Sequence, residues 1–87
     1  MTVTPLEAVT AEVAAMITEI TSVVLPKKPL RDLHLVDDLD IDSLSLVEVV
    51  VAVETEYDIK IKDSEVRNLK TLGQVGQLVI ERRRETT

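Results

Sequence analysis

Ser43 is the side chain in this sequence best placed for covalent chemistry, and its surroundings limit what that chemistry can be. It follows a run of acids, Asp37, Asp38, Asp40 and Asp42, and precedes the apolar stretch Leu44-Ser45-Leu46-Val47. A serine attacks a substrate only when a base takes its proton. The one histidine, His34, lies nine residues upstream in loop-like sequence, so a Ser-His-Asp arrangement has no obvious parts here. Ser43 therefore suits the role of an acceptor hydroxyl, modified by another enzyme. Its plain structural alternative is a helix cap, since serine at a helix start accepts from main-chain N–H groups. The same acids suggest a second chemistry. Asp38, Asp40 and Asp42 have the one-three-five spacing of a calcium loop, but its sixth position, glycine by rule, is Ser43, and its twelfth, a bidentate glutamate, is Val49. That mismatch disfavours calcium, and no metal site is expected. With no cysteine, disulfides and thiolate chemistry are excluded.

Four helices must position Ser43. Thr4, Pro5 and Glu7 give a helix start, and Leu6, Val9, Val13, Met16, Ile17 and Ile20 recur on one helical face as far as about Thr21 or Ser22. Pro26 and Pro29 break regular structure, so residues 23–42 form a long first loop. Leu30, Leu33, Leu35, Val36, Leu39 and Ile41 make that loop too apolar to hang free. A second helix is expected from Asp42 or Ser43 to about Tyr57, burying Leu46, Val49, Val50, Val53 and Tyr57. Its β-branched valines also suit a strand, but three- and four-residue spacing and the interrupting Glu48, Glu54 and Glu56 favour a helix. Ile59 and Ile61 alternate with lysines in a short link. Asp63 is expected to cap a short helix through Val66 to Leu69, and Thr71 with Gln74 to box the start of the last one. Arg82, Arg83 and Arg84 suit the dipole at its end, and 85–87 are expected to fray. Gly73 and Gly76 weaken that helix by roughly 1 kcal/mol each relative to alanine, which close packing would explain. The fold class is all-α: an irregular four-helix bundle of three main helices and one short one, forming one domain over 1–87.

Composition narrows function further. Of the 87 residues 45% are hydrophobic, yet Tyr57 is the only aromatic, so the core is aliphatic. The net charge of −6 is unevenly placed: residues 36–58 carry eight acids and no base. Nucleic acid, which needs a basic stripe, is excluded as a partner. No apolar run reaches membrane-spanning length and no signal peptide is visible, so a cytoplasmic monomer is expected. The acidic block is either a solvated face or a surface that steers basic partners.

The stretch Val36-Asp37-Asp38-Leu39-Asp40-Ile41-Asp42-Ser43-Leu44-Ser45-Leu46-Val47-Glu48 resembles the attachment motif of acyl carrier proteins. In that family a long loop leads to Asp-Ser-Leu at the start of the second helix, with Glu five residues after the serine; Asp42, Ser43, Leu44 and Glu48 occupy those positions. The wording is most similar to discrete carriers of actinobacteria, and the likeness continues through 54–61. The resemblance implies an acyl-carrier-like bundle with no catalytic residues of its own. It implies 4′-phosphopantetheine, taken from coenzyme A and attached covalently to Ser43 by a phosphopantetheinyl transferase, with Asp42 and Leu44 beside it and Asp42 helping to hold the transferase's Mg²⁺; the plain alternative for Asp42, as for Ser43, is a helix cap. It also implies service to fatty acid (type II) or polyketide synthesis, with an aminoacyl carrier or a plain helical interaction module as alternatives. The implied partners are acyl transferases, ketosynthases and related synthase enzymes with basic patches, docking on Leu44, Val47, Glu48, Val51 and Glu54. The implied walls for an acyl cargo are Val49, Val53, Ile61, Leu69, Val75 and Val79. Three positions depart from the family: Asp40 stands where glycine is frequent, Lys62 where proline is common, and Ser45 where an acid often follows.

Overall fold

Thr4 opens the first helix in this computed structural model, which describes residues 4–85. Its hydroxyl accepts from the Glu7 N–H at 3.1 Å, and Pro5, whose missing N–H costs nothing there, is the first helical residue. Helix α1 (Pro5–Thr21) buries Val9, Thr10, Val13, Ala14 and Ile17. Thr10 satisfies its buried hydroxyl by donating to the Leu6 carbonyl at 2.5 Å. The helix ends where Ser22 turns left-handed at φ 60°, ahead of Val23, Val24 and Pro26.

The long first loop contains a short 3₁₀ helix, Leu30–Asp32, that the sequence pattern did not reveal. Leu33, Leu35, Leu39 and Ile41 are buried and pin the loop to the core, whereas Val36 turns out to solvent at 56% exposure. The loop is also stitched to the far end of the chain. Leu35 N–H donates to the Lys70 carbonyl at 2.8 Å and Leu72 N–H to the Leu33 carbonyl at 2.9 Å, around a single antiparallel bridge between His34 and Thr71.

Helix α2 (Ser43–Tyr57) confirms the helical reading of the valine run. Val49 and Val53, four apart, are buried, while Val47 and Val51, also four apart, are exposed. Leu46, Val50 and Tyr57, expected in its buried face, are only half-buried. Helix α3 (Asp63–Asn68) corrects the expected cap: Asp63 is the first helical residue, and Glu65 reaches back to accept the Lys62 N–H at 2.9 Å. Leu69 lies just past its end. Helix α4 (Leu72–Glu85) opens on the expected box, with Gln74 N–H donating to the Thr71 hydroxyl at 3.2 Å and Thr71 N–H to Gln74 Oε1 at 3.0 Å. Glu85 is still helical, contrary to the fraying expected from that residue onward; Thr86 and Thr87, where fraying was also expected, and the side chains of Arg84 and Glu85 lie outside the described residues.

Both glycines of α4 are explained by close approach. A Cβ on Gly76 would sit 2.7 Å from Thr10 Oγ1 and 3.1 Å from Leu6 Cδ1; one on Gly73 would sit 2.8 Å from the Arg31 carbonyl. Having no side chains at these two positions, helix α4 presses directly on the Thr10 and Leu6 side chains of α1 and on the main chain of the 3₁₀ helix. Polar ties run between helices: Tyr57 at the end of α2 donates to Glu12 in the middle of α1 with Arg83 5.7 Å over its ring, and Arg82 of α4 pairs with Glu65 of α3. Burial, and then the bond to Glu12, pushes the Tyr57 hydroxyl well above its usual range. Among the described residues, fourteen buried aliphatic ones from α1, α2, α4 and the loops form the central cluster.

Candidate functional site

Asp42, not Ser43, caps α2. Its Oδ1 accepts the Ser45 N–H at 2.8 Å with the main chain extended (φ −85°, ψ 177°). The Ser45 N–H, then the Ser45 hydroxyl, with a smaller part from Leu44 N–H, hold the Asp42 carboxyl below its usual range against the opposing effect of burial. Ser43 is the first helical residue and is exposed. The plain structural role for its hydroxyl is therefore already filled by its neighbour.

The approach to Ser43 is a tight turn over residues 34–41. His34 supplies one end. Its carbonyl accepts from Asp38 N–H at 3.0 Å and Leu39 N–H at 3.1 Å, and its Nδ1 accepts from Val36 N–H at 3.2 Å and Asp37 N–H at 3.1 Å. Asp38 returns the favour, accepting His34 N–H at 2.8 Å on one oxygen and Lys28 Nζ at 2.9 Å on the other. The His34 N–H, then Lys28, keep the Asp38 carboxyl ionised below its ordinary range. Asp40 closes the turn in the left-handed region at φ 52°, and Ile41 N–H comes back to the Leu35 carbonyl at 3.0 Å. Glycine enters that region without penalty and aspartate is among the few other residues that visit it. This accounts physically for glycine being frequent there in the resembling family. Asp38, Asp40 and Asp42, spaced like calcium ligands, thus have three separate tasks: pairing with Lys28 and His34, turning the chain, and capping α2.

The expected docking residues divide. Leu44, Val47 and Val51 are exposed at 72%, 56% and 54%, and Glu48 lies exposed among them. Leu44, Val47 and Val51 thus form an exposed apolar stripe along one side of α2. Glu54 differs: it is half-buried, and its Oε2 accepts the Ile61 N–H at 2.8 Å, so its charge clamps the link between α2 and α3. Of the expected cargo walls, Val49, Val53, Val75 and Val79 are buried in the core, and Ile61 and Leu69 pack half-buried at its edge. A surface hollow of about 760 Å³ lies elsewhere, between the start of α1 and the 3₁₀ helix, lined by Leu6, Thr10, Leu30 and Arg31 among others.

The implied phosphodiester fits this setting. An exposed hydroxyl in the first turn of a fifteen-residue helix offers room for the arm, and the helix start favours an anion. Asp38 is neutralised by Lys28, and Asp42 is turned onto Ser45, which moderates the repulsion two acids would otherwise exert. Sequence reasoning missed His34 and Glu54 as structural acceptors. A histidine two and three residues before the N–H groups it caps was the available local signal; Glu54 acts on a main-chain group seven residues away and left none.

Comparison with known proteins agrees with this geometry. A family model described as the phosphopantetheine attachment site matches residues 11–79. The acyl carrier protein of Acidothermus cellulolyticus is 55% identical over 53 residues, 61% of this chain and 57% of that protein. The acyl carrier protein of Rhodococcus erythropolis is 39% identical over 69 residues, 79% of this chain and 75% of its own length. The meromycolate extension acyl carrier protein of Mycobacterium leprae is 43% identical over 69 residues, 79% of this chain and 59% of its own. The chain thus spans under two thirds of the first and third of these relatives. The prosthetic group of such proteins is covalently attached 4′-phosphopantetheine. On the attachment-site match over residues 11–79, and on a relative 39% identical over 79% of this chain and 75% of its own length, the chain belongs to the acyl carrier protein family.

Proposed function

We propose that Ser43 is the hydroxyl to which a phosphopantetheinyl transferase joins the arm, and that the chain is a single carrier domain delivering acyl groups between enzymes of lipid synthesis in the cytoplasm. The observation that carries this reading is the division of labour at the head of α2: Asp42 caps the helix and leaves Ser43 exposed with no capping duty. When bound, the arm supplies a terminal thiol that holds an acyl group as a thioester. The chain's own residues do the rest. Asp42, kept ionised by Ser45, stands beside the accepting hydroxyl, where it can help hold the transferase's Mg²⁺. Leu44, Val47 and Val51 give a partner enzyme apolar contact, and Glu48 gives it a charge to meet a basic patch. Glu54 adds to the field of this face from a half-buried position, with Oε2 held by the Ile61 N–H and Oε1 left to meet a partner. The names of the relatives, acyl carrier and meromycolate extension carrier, favour fatty acyl chain elongation over polyketide assembly.

Exposed charges are screened over about 8–10 Å at physiological salt, so docking through this face is brief and salt-sensitive. Steady-state transfer from the loaded chain to a type II ketosynthase tests it. Glu48→Lys is expected to lower kcat/KM about tenfold at low salt, with the gap closing as salt rises. Equal efficiency of the variant at every salt concentration would remove Glu48 from the docking surface.

A further inference from the structure

The turn before Ser43 is capped by the one imidazole in the protein. Two main-chain donors, Val36 N–H at 3.2 Å and Asp37 N–H at 3.1 Å, converge on His34 Nδ1. A nitrogen that accepts two N–H groups carries no proton, so the neutral ring bears its proton on Nε2. This is the pattern in which a short polar side chain caps a turn, carried out by a ring that can change charge near neutral pH. The turn it caps is continuous with the functional site: Leu35, Leu39 and Ile41 anchor it in the core, and the next residue, Asp42, caps the helix that presents Ser43.

We propose that neutral His34 is a positioning residue for Ser43, and that a proton on Nδ1 uncaps the 34–41 turn and slows modification of the hydroxyl. Protonation would convert the acceptor into a donor facing two donors. The charged groups around the ring decide where it goes. The Asp37 carboxylate, 3.8 Å from Nδ1, offers the imidazolium a new partner. Asp38 also attracts it but is committed to His34 N–H and to Lys28, whose ammonium opposes the added charge. Across the bridge stands neutral Thr71, with Lys70 beside it. The charged ring therefore leaves the cap for Asp37, and Val36 and Asp37 N–H lose their acceptor.

The property of the turn is independent of the carrier reading; only its effect on loading rests on that reading. Nuclear magnetic resonance of the full chain from about pH 8 to about pH 5 tests the turn. At the upper end, the ring nitrogen shifts should show Nδ1 unprotonated. On acidification the Val36 and Asp37 amides should move with the midpoint of the ring, and their protection from exchange, corrected for the intrinsic rate, should fall about fivefold, the worth of one ordinary hydrogen bond. His34→Asn keeps a short acceptor that does not titrate, so its two amides should stay put over this range; His34→Ala should show the uncapped state throughout. Loading by one transferase supplies the functional arm. The ratio of wild-type to His34→Asn rates should fall severalfold from pH 8 to pH 5, which cancels the transferase's own pH dependence. A proton on Nδ1 at pH 8, amides that ignore the ring, or a flat rate ratio would each overturn the proposal. Should neither protein load at any pH, the carrier reading fails, while the amides still decide whether the switch exists.

Discussion

Asp38 and Asp42 both hold their carboxyls below the usual range, each mainly by accepting main-chain N–H groups at a turn or a helix start. The sign of the consequence follows from linkage. A carboxyl whose folded value is depressed adds stability that is fully present above the unfolded value, near pH 4, and that is lost as pH falls through the lower folded value. Acid unfolding followed by circular dichroism should therefore show a steep loss below about pH 4, and Asp38→Asn with Asp42→Asn should flatten that limb. An unchanged acid limb in the double variant would mean these two carboxylates are not what the acid attacks. At this scale the sequence made Ser43 and its acids legible, because a serine after an acid at the head of an apolar periodic run is a local pattern. It left open which of the two neighbours caps the helix, since both residue types cap well. That choice is made by the main chain: residue 42 is extended and residue 43 already helical.

The elements were legible in proportion to how local their causes are. Helix α1 and the start of α4 follow from caps three residues from the N–H groups they serve, and both form where the pattern put them. The cap of α3 did not, because Asp63 is a good cap by type but Glu65, reaching back to Lys62, fixes the start one residue earlier. The 3₁₀ helix at Leu30–Asp32 has a tertiary cause. It is held against α4, where Gly73 gives its main chain room. The two glycines of α4 accordingly yield an element-scale prediction against propensity. Alanine in a helix interior normally gains about 1 kcal/mol over glycine. Here the added methyl at 76 meets Thr10, whose hydroxyl is tied to Leu6, and at 73 it meets the Arg31 carbonyl. Overpacking of this kind costs about 1–3 kcal/mol, so both variants should show lower urea midpoints, Gly73→Ala the more so because main chain must yield. A rise in midpoint for either would show that its neighbour gives way without cost.

Over the whole molecule, the aliphatic core and the concentration of acids in residues 36–58 serve one arrangement. The core is built from residues without large rings, and a cargo that entered it would gain about 0.8 kcal/mol per buried methylene. Depth of insertion would then grade how firmly chains of different length are held. The helical class and the bundle were legible from hydrophobic spacing; how α4 crowds α1 and the first loop was not, because it depends on which faces meet and on two missing side chains. What the molecule is for rests on Ser43, and intact mass spectrometry tests that most directly. The full chain, incubated with coenzyme A and a phosphopantetheinyl transferase, should gain a single phosphopantetheine, and Ser43→Ala should gain none while keeping the helical spectrum of the wild type. No gain with several transferases, or a gain that survives in Ser43→Ala, would contradict the account.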